Sequence, residues 1–137
     1  MAGWNQSNPT NVIGTSTALT TLTNAYNSTV RGSFPTGNQE QVVLYVKYTS
    51  STAANSIQLK VERSPDNTNW FPQTAMKTEA GVGTLTNLEP TFVRTAATSY
   101  FIVDLPVADK YIRVSAKETL TGAAGTVWVS TITSAGV

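Results

Sequence analysis

The feature that most constrains the fold of this chain is a repeated alternation of apolar and polar residues with a period of two. In the segment 56–63, Ile57, Leu59 and Val61 fall on one face of an extended chain, and polar residues occupy the other. This pattern is typical of a β-strand with one face in a core and one face in solvent. Helical periodicity is hard to find, so the pattern predicts an all-β domain.

The segment Gln41–Thr49 is a second strong strand prediction. Val42, Leu44, Val46 and Tyr48 fall on one face of this strand, and Val43, Tyr45 and Lys47 fall on the other. The short linker 50–55 predicts that these two strands form an antiparallel pair. Further strands are predicted at 70–73, 91–94, 100–105, 110–117 and 126–133.

Turn-forming residues divide these strands. Ser64–Asn69 contains Pro, Asp and Asn and predicts a turn. The glycine-bearing segment 119–125 is expected to be a hairpin loop. The polar segment 75–90 is either a loop, mobile or contacting something, or an excursion that carries strands.

The N-terminal region is interpreted as an extended arm over 1–12, followed by a single domain over 13–137 with strands near 16–23 and 26–34. The number and irregular spacing of the strands favour an antiparallel β-sandwich, with a jelly roll as the expected arrangement.

Composition excludes several chemistries. The chain has no Cys and no His, which removes thiolate nucleophiles, Ser-His-Asp triads and His-ligated metals. Its eight carboxylates lie mostly in turns or on solvent faces, so no catalytic residue, metal ligand or cofactor is predicted. The net charge of +1 argues against nucleic acid as the main partner, and no apolar run is long enough to span a membrane.

Aromatic residues supply the candidate binding sites. A Trp in a polar arm is unfavourable unless it docks, either on its own domain or on a neighbouring subunit, so the arm is a candidate partner-binding segment. Its candidate contact residues are Trp4, Asn5, Gln6, Asn8 and Pro9. Trp70, Phe71 and Trp128 are an alternative glycan-stacking platform, unless Trp70 and Trp128 belong to the core or rim of the sandwich.

Two segments carry a resemblance to known proteins. The strand and turn Leu59–Trp70, followed by Lys110-Tyr111-Ile112-Arg113-Val114, resemble discoidin-type jelly rolls and the small β-sandwich decoration (cement) proteins of tailed-bacteriophage heads. The phage proteins fit better, since they are similarly small, Cys-free and rich in Thr, Ser and Asn. In both groups the shared turn is structural.

The resemblance to decoration proteins implies a non-enzymatic virion protein on the capsid exterior that is made in the host cytoplasm. Its expected partners are the major capsid protein and further copies of itself, as a trimer. The alternatives are a carbohydrate-binding module on a virion or tail, and a tail, neck or baseplate component.

Overall fold

The computed structural model is a β-sandwich of two antiparallel sheets. It describes residues 4–6, 8–37, 41–50, 52, 55–79, 81–87, 89–93, 97–106, 110–120 and 124–136. In sheet A, three long strands lie side by side: β11 (Thr98–Pro106), β5 (Gln41–Thr49) and β13 (Thr126–Gly136). The far edge of β13 pairs in turn with β3 (Thr20–Thr21), β2 (Thr10–Ile13) and β1 (Trp4–Gln6).

Sheet B packs against sheet A. Its spatial order is β10 (Thr91–Val93), β6 (Ser56–Ser64), β12 (Tyr111–Glu118) and β4 (Arg31–Pro35). The short strand β7 (Phe71–Pro72) shares the edge of β6 with β10. Between them in the chain, β8 (Thr74–Glu79) and β9 (Val82–Asn87) form a hairpin of their own, with Gly81 in a left-handed conformation between the strands.

The strand order is that of a jelly roll. When β2 and β3 are counted together and β1, β7 and the β8–β9 hairpin are set aside, the eight principal strands described are β2/β3, β4, β5, β6, β10, β11, β12 and β13. In this numbering, sheet A has the spatial order first-eighth-third-sixth, and sheet B has the order second-seventh-fourth-fifth. The all-β sandwich expected from the sequence is therefore confirmed.

The core lies between the sheets, on one face of each alternating strand. Val42, Leu44 and Tyr48 are fully buried from sheet A, and Ile57 and Leu59 are fully buried from sheet B. Because large apolar side chains interdigitate there, the two sheets are held together chiefly by hydrophobic burial.

A polar contact crosses one end of this core. The Tyr48 hydroxyl donates to Oε2 of Glu118 at 2.6 Å, joining β5 of sheet A to β12 of sheet B. The backbone N–H of Gly125 donates to the other carboxylate oxygen at 2.6 Å. Both oxygens of this buried acid are thereby hydrogen-bonded, which offsets the cost of removing it from water.

Two pairing predictions are wrong. The strands at 41–49 and 56–63 do not pair, because β5 lies in sheet A and β6 in sheet B. For the same reason the segment 119–125 is a crossover between sheets rather than a hairpin loop. In a jelly roll most consecutive strands lie in opposite sheets, so a short linker connects layers as readily as neighbours.

The N-terminal predictions need correction as well. The segment 16–23 contains only the two-residue strand β3, and 26–34 begins with a 3-10 turn at Ser28–Val30 before β4. Residues 1–12 contain β1 and most of β2, and both pair with β13, so the described part of the expected arm is joined to sheet A. Residues 1–3 and 7 lie outside the described residues. The segment 75–90 carries strands.

Candidate functional site

The outer face of sheet A is an apolar surface. The register places Tyr45 of β5 directly opposite Ile102 of β11, and Tyr100 opposite Lys47. Tyr100, Ile102 and Tyr45 are 73%, 67% and 38% exposed. Large apolar side chains are seldom this exposed in contiguous groups on soluble proteins unless they contact a partner.

The same surface extends onto β13. Trp128 lies beside Lys47, and Ile132 lies beside Val43. All of these side chains are half-buried, and the indole N–H of Trp128 donates to Oδ1 of Asn11 on β2 at 2.8 Å. We call the set Val43, Tyr45, Tyr100, Ile102, Trp128 and Ile132 the sheet-A patch.

The patch carries one charge of each sign. Lys47 lies on the middle strand β5 between Tyr100 and Trp128, and Asp104 lies on β11 beside Val43. A largely apolar and aromatic surface with few charges is the composition of a protein–protein contact surface. Beside the patch, β11 is the terminal strand of sheet A among the described strands.

The outer face of sheet B has a different chemistry. Arg113 of β12 forms a side-on ion pair with Glu62 of β6, with Nε–Oε1 and Nη2–Oε2 distances of 3.0 and 2.9 Å. The ring of Trp70 lies over the Arg113 guanidinium at 4.5 Å from its centroid. The ion pair is thereby shielded from water by an aromatic lid.

A second aromatic ring covers the other half of this face. Tyr26 lies near the ammonium groups of Lys117 and Lys60, which are 4.9 and 5.8 Å from its ring centroid. Burial, and secondarily the negative charge of Glu89, raises the pKa of Tyr26 well above its usual range. Tyr26 is therefore a neutral phenol at any physiological pH.

The turn that carries Trp70 is built around Asp66. Its Oδ1 accepts hydrogen bonds from the backbone N–H groups of Thr68 and Asn69 at 2.9 and 2.8 Å, and from the Ser64 hydroxyl at 3.0 Å. These bonds to the charged form, led by those from the backbone, hold the pKa of Asp66 well below its usual range. The predicted turn is therefore an Asx-type turn.

A polar cavity of about 320 Å³ opens on the outer face of sheet B. Its walls are Ser28, Arg31, Gly32, Ser33, Asn67, Trp70 and Arg113. Asn67 has a φ of 61°, a left-handed conformation that Asn tolerates better than most residues. The cavity thus lies between the Asx turn, strand β4 and the Arg113–Glu62 pair.

The predicted site residues do not form one site. Trp70 lies on the outer face of sheet B, whereas Trp128 lies on the outer face of sheet A, so they cannot make one stacking platform. Phe71, on the edge strand β7, is 59% exposed.

The residues predicted in the arm lie along sheet A. Trp4, Asn5 and Gln6 form β1, opposite the end of β13, and their side chains lie outside the described residues. Asn8 and Pro9 are exposed between β1 and β2. Their part in partner binding stays a prediction.

Sequence reasoning missed the sheet-A patch, although a signal was present. Tyr45 and Val43 make the second face of Gln41–Thr49 apolar, and 100–103 is a continuous apolar run. A strand that is apolar on both faces is expected to be covered on both.

Comparison with known proteins adds no family assignment. No protein-family model matches the sequence, and no curated protein matches it significantly. Within the described residues, no three acidic, His or Cys side chains cluster as metal ligands, and no helix has the length and hydrophobicity of a membrane span.

Proposed function

We propose that this protein is a non-enzymatic structural protein that binds the outer surface of an assembled bacteriophage shell through the sheet-A patch. The observation that carries the proposal is the cluster of exposed Tyr45, Tyr100 and Ile102 on one flat sheet face. Covering such side chains removes apolar area from water, which is the main driving force of protein association.

The chemistry of the patch favours a protein partner. Tyr and Trp are enriched among the residues that dominate binding energy at protein interfaces. Lys47 and Asp104 are of opposite sign, so the patch offers little charge to attract a polyanion.

A repeated shell is the partner that the sequence resemblance favours. A protein that binds only the assembled shell stabilises it by the free energy of binding at every occupied position. Each contact can then have a small area, such as that of a single sheet face, because the shell repeats it at many positions. The proposal includes a trimer on the capsid exterior and contact from the N-terminal residues Trp4–Pro9.

The test is co-sedimentation with purified, expanded capsids of the encoding phage. The wild type should saturate at a fixed number of copies per capsid protein. The double variant Tyr100→Thr/Ile102→Thr should lose binding by at least about a factor of ten. Val93→Thr is the matched control, because Val93 is 69% exposed but lies on β10 of sheet B.

Equal binding of the double variant and the wild type would remove the sheet-A patch from the proposal. No sedimentation of the folded wild type with capsids would overturn the function itself. Deletion of residues 1–9 tests the N-terminal contact separately, and analytical ultracentrifugation tests the trimer.

A further inference from the structure

We propose that the cavity on the outer face of sheet B is a binding site for an acidic saccharide, a polyhydroxylated ring that bears a carboxylate. The site is separate from the sheet-A patch, because the two lie on opposite outer faces of the sandwich. Its test therefore does not depend on the proposed function.

Two arginines line the cavity and can bind an anion. Arg31 is exposed on β4, and Arg113 lies on the neighbouring strand β12, opposite Ser33, with its ion pair to Glu62 already formed. Glu62 pairs with Arg113, so Arg31 is the guanidinium that has no acidic partner among the residues lining the cavity. Planar guanidinium groups bind carboxylates with two parallel hydrogen bonds.

Arg113 retains donors for a ligand. A guanidinium carries five N–H groups, and Glu62 accepts from two of them, one on Nε and one on Nη2. The ion pair and the Trp70 ring hold the guanidinium in place before any ligand arrives. A group that is already ordered loses less conformational entropy on binding.

The other walls favour a sugar over a bare anion. Ser28 and Ser33 contribute hydroxyl groups and Asn67 a carboxamide, and each can both donate and accept hydrogen bonds. Alternating donors and acceptors match the hydroxyl groups of a sugar ring. A volume of about 320 Å³ lies at the lower end of the range for small-molecule sites.

The backbone on two sides of the cavity is held by close packing and by hydrogen bonds. A Cβ on Gly32 would lie 1.8 Å from the carbonyl oxygen of Val12, so β4 is packed directly on β2 at this point. On the opposite wall, the Asp66 hydrogen bonds fix the turn that holds Asn67. A preformed cavity is the usual form of a small-molecule site.

The experiment is an NMR titration of the ¹⁵N-labelled protein with methyl glucuronide, and with methyl glucoside as the control ligand. The two probes differ only in a carboxylate against a hydroxymethyl group. We expect saturable shifts at Arg31, Ser33, Asn67 and the Trp70 indole with the glucuronide, and binding at least about tenfold weaker with the glucoside. Sodium acetate should also bind at least about tenfold more weakly, because it lacks the ring hydroxyls.

The variant Arg31→Gln should weaken glucuronide binding by about tenfold or more. Arg31 is exposed, so this change leaves the fold intact, and Lys110→Gln removes the same charge from an exposed position outside the cavity. No saturable shift with glucuronide overturns the proposal, as does equal binding of the two glycosides. Unchanged binding by Arg31→Gln, or equal loss in Lys110→Gln, overturns the assignment to this cavity.

Discussion

The two outer faces of this sandwich differ in which side chains they expose to solvent. On sheet A, large apolar side chains such as Tyr100 and Ile102 are left uncovered. On sheet B, charged side chains are paired with each other and covered by rings, as Trp70 covers Arg113. The ion pair and the ring on sheet B stabilise the fold and leave a polar cavity beside them, whereas the exposed apolar side chains on sheet A are available to a protein partner.

The largest effect is expected where the two sheets meet. Gly32→Ala places a Cβ against the Val12 carbonyl oxygen and should lower the free energy of unfolding by about 3 kcal/mol, because β2 and β4 must separate. Urea denaturation measures the loss. Ser33→Ala, at the exposed neighbouring position, is the control and should change it by less than about 0.5 kcal/mol. Equal losses of unfolding free energy in both variants would show that β2 and β4 move apart at little cost.

The second-largest effect on stability should distinguish the outer face of sheet B from that of sheet A. Glu62→Gln leaves the half-buried Arg113 guanidinium without its counter-charge and should cost about 2 kcal/mol of unfolding free energy. Tyr100→Thr on sheet A, where the side chain is 73% exposed, should cost less than about 0.5 kcal/mol. The double variant Glu62→Gln/Arg113→Gln should recover part of the loss in a double-mutant cycle. Similar losses for Glu62→Gln and Tyr100→Thr would contradict the division between the faces.

Acid should weaken the Asx turn beside sheet B. In the folded protein the pKa of Asp66 is depressed, so the stability that its ionised form contributes is fully present above the unfolded value of about 3.9 and decreases as the pH falls from that value through the lower folded pKa. Asp66→Asn should therefore be less stable than the wild type at pH 7, and this difference should shrink by pH 2.5. Thermal unfolding at both pH values measures it; a constant difference would mean that the carboxylate charge is irrelevant.

The smallest effect on stability is expected at the sheet-A patch. Tyr100→Thr and Ile102→Thr should each change the free energy of unfolding by less than about 0.5 kcal/mol, because both side chains are mostly exposed. The two changes should also raise solubility in ammonium sulfate, since they remove apolar surface. A loss of unfolding free energy as large as that of Glu62→Gln would show that these side chains stabilise the fold.

Local patterns predicted the strands and their buried faces well. Gln41–Thr49 has the bounds expected from its alternation, and Ile57, Leu59 and Val61 form the buried face of β6 as expected. The alternation of apolar and polar residues indicates which side of a strand is buried, and it can be read from neighbouring residues alone. It explains why β5, β6 and β12 were predictable one strand at a time.

Pairing partners and sites were much less predictable. β5 pairs with β11 and β13, which lie some fifty and eighty residues along the chain, and no local pattern encodes that choice. The cavity joins Arg31, Asn67 and Arg113 from three separate segments, so no spacing motif marks it. The strand β3 was overestimated because Thr-rich segments favour strands without specifying them.

The position of β13 has a consequence for the order in which the molecule can fold. Among the described strands, only β6 with β7 and β8 with β9 pair with their immediate successors. Every other pairing closes a long loop, which predicts slow folding. Sheet A cannot form until β13 is synthesised, because β13 joins β5 to β1, β2 and β3. A nascent chain that ends before Thr126 would expose β5 without a neighbour on one side, and would be prone to aggregation on the ribosome.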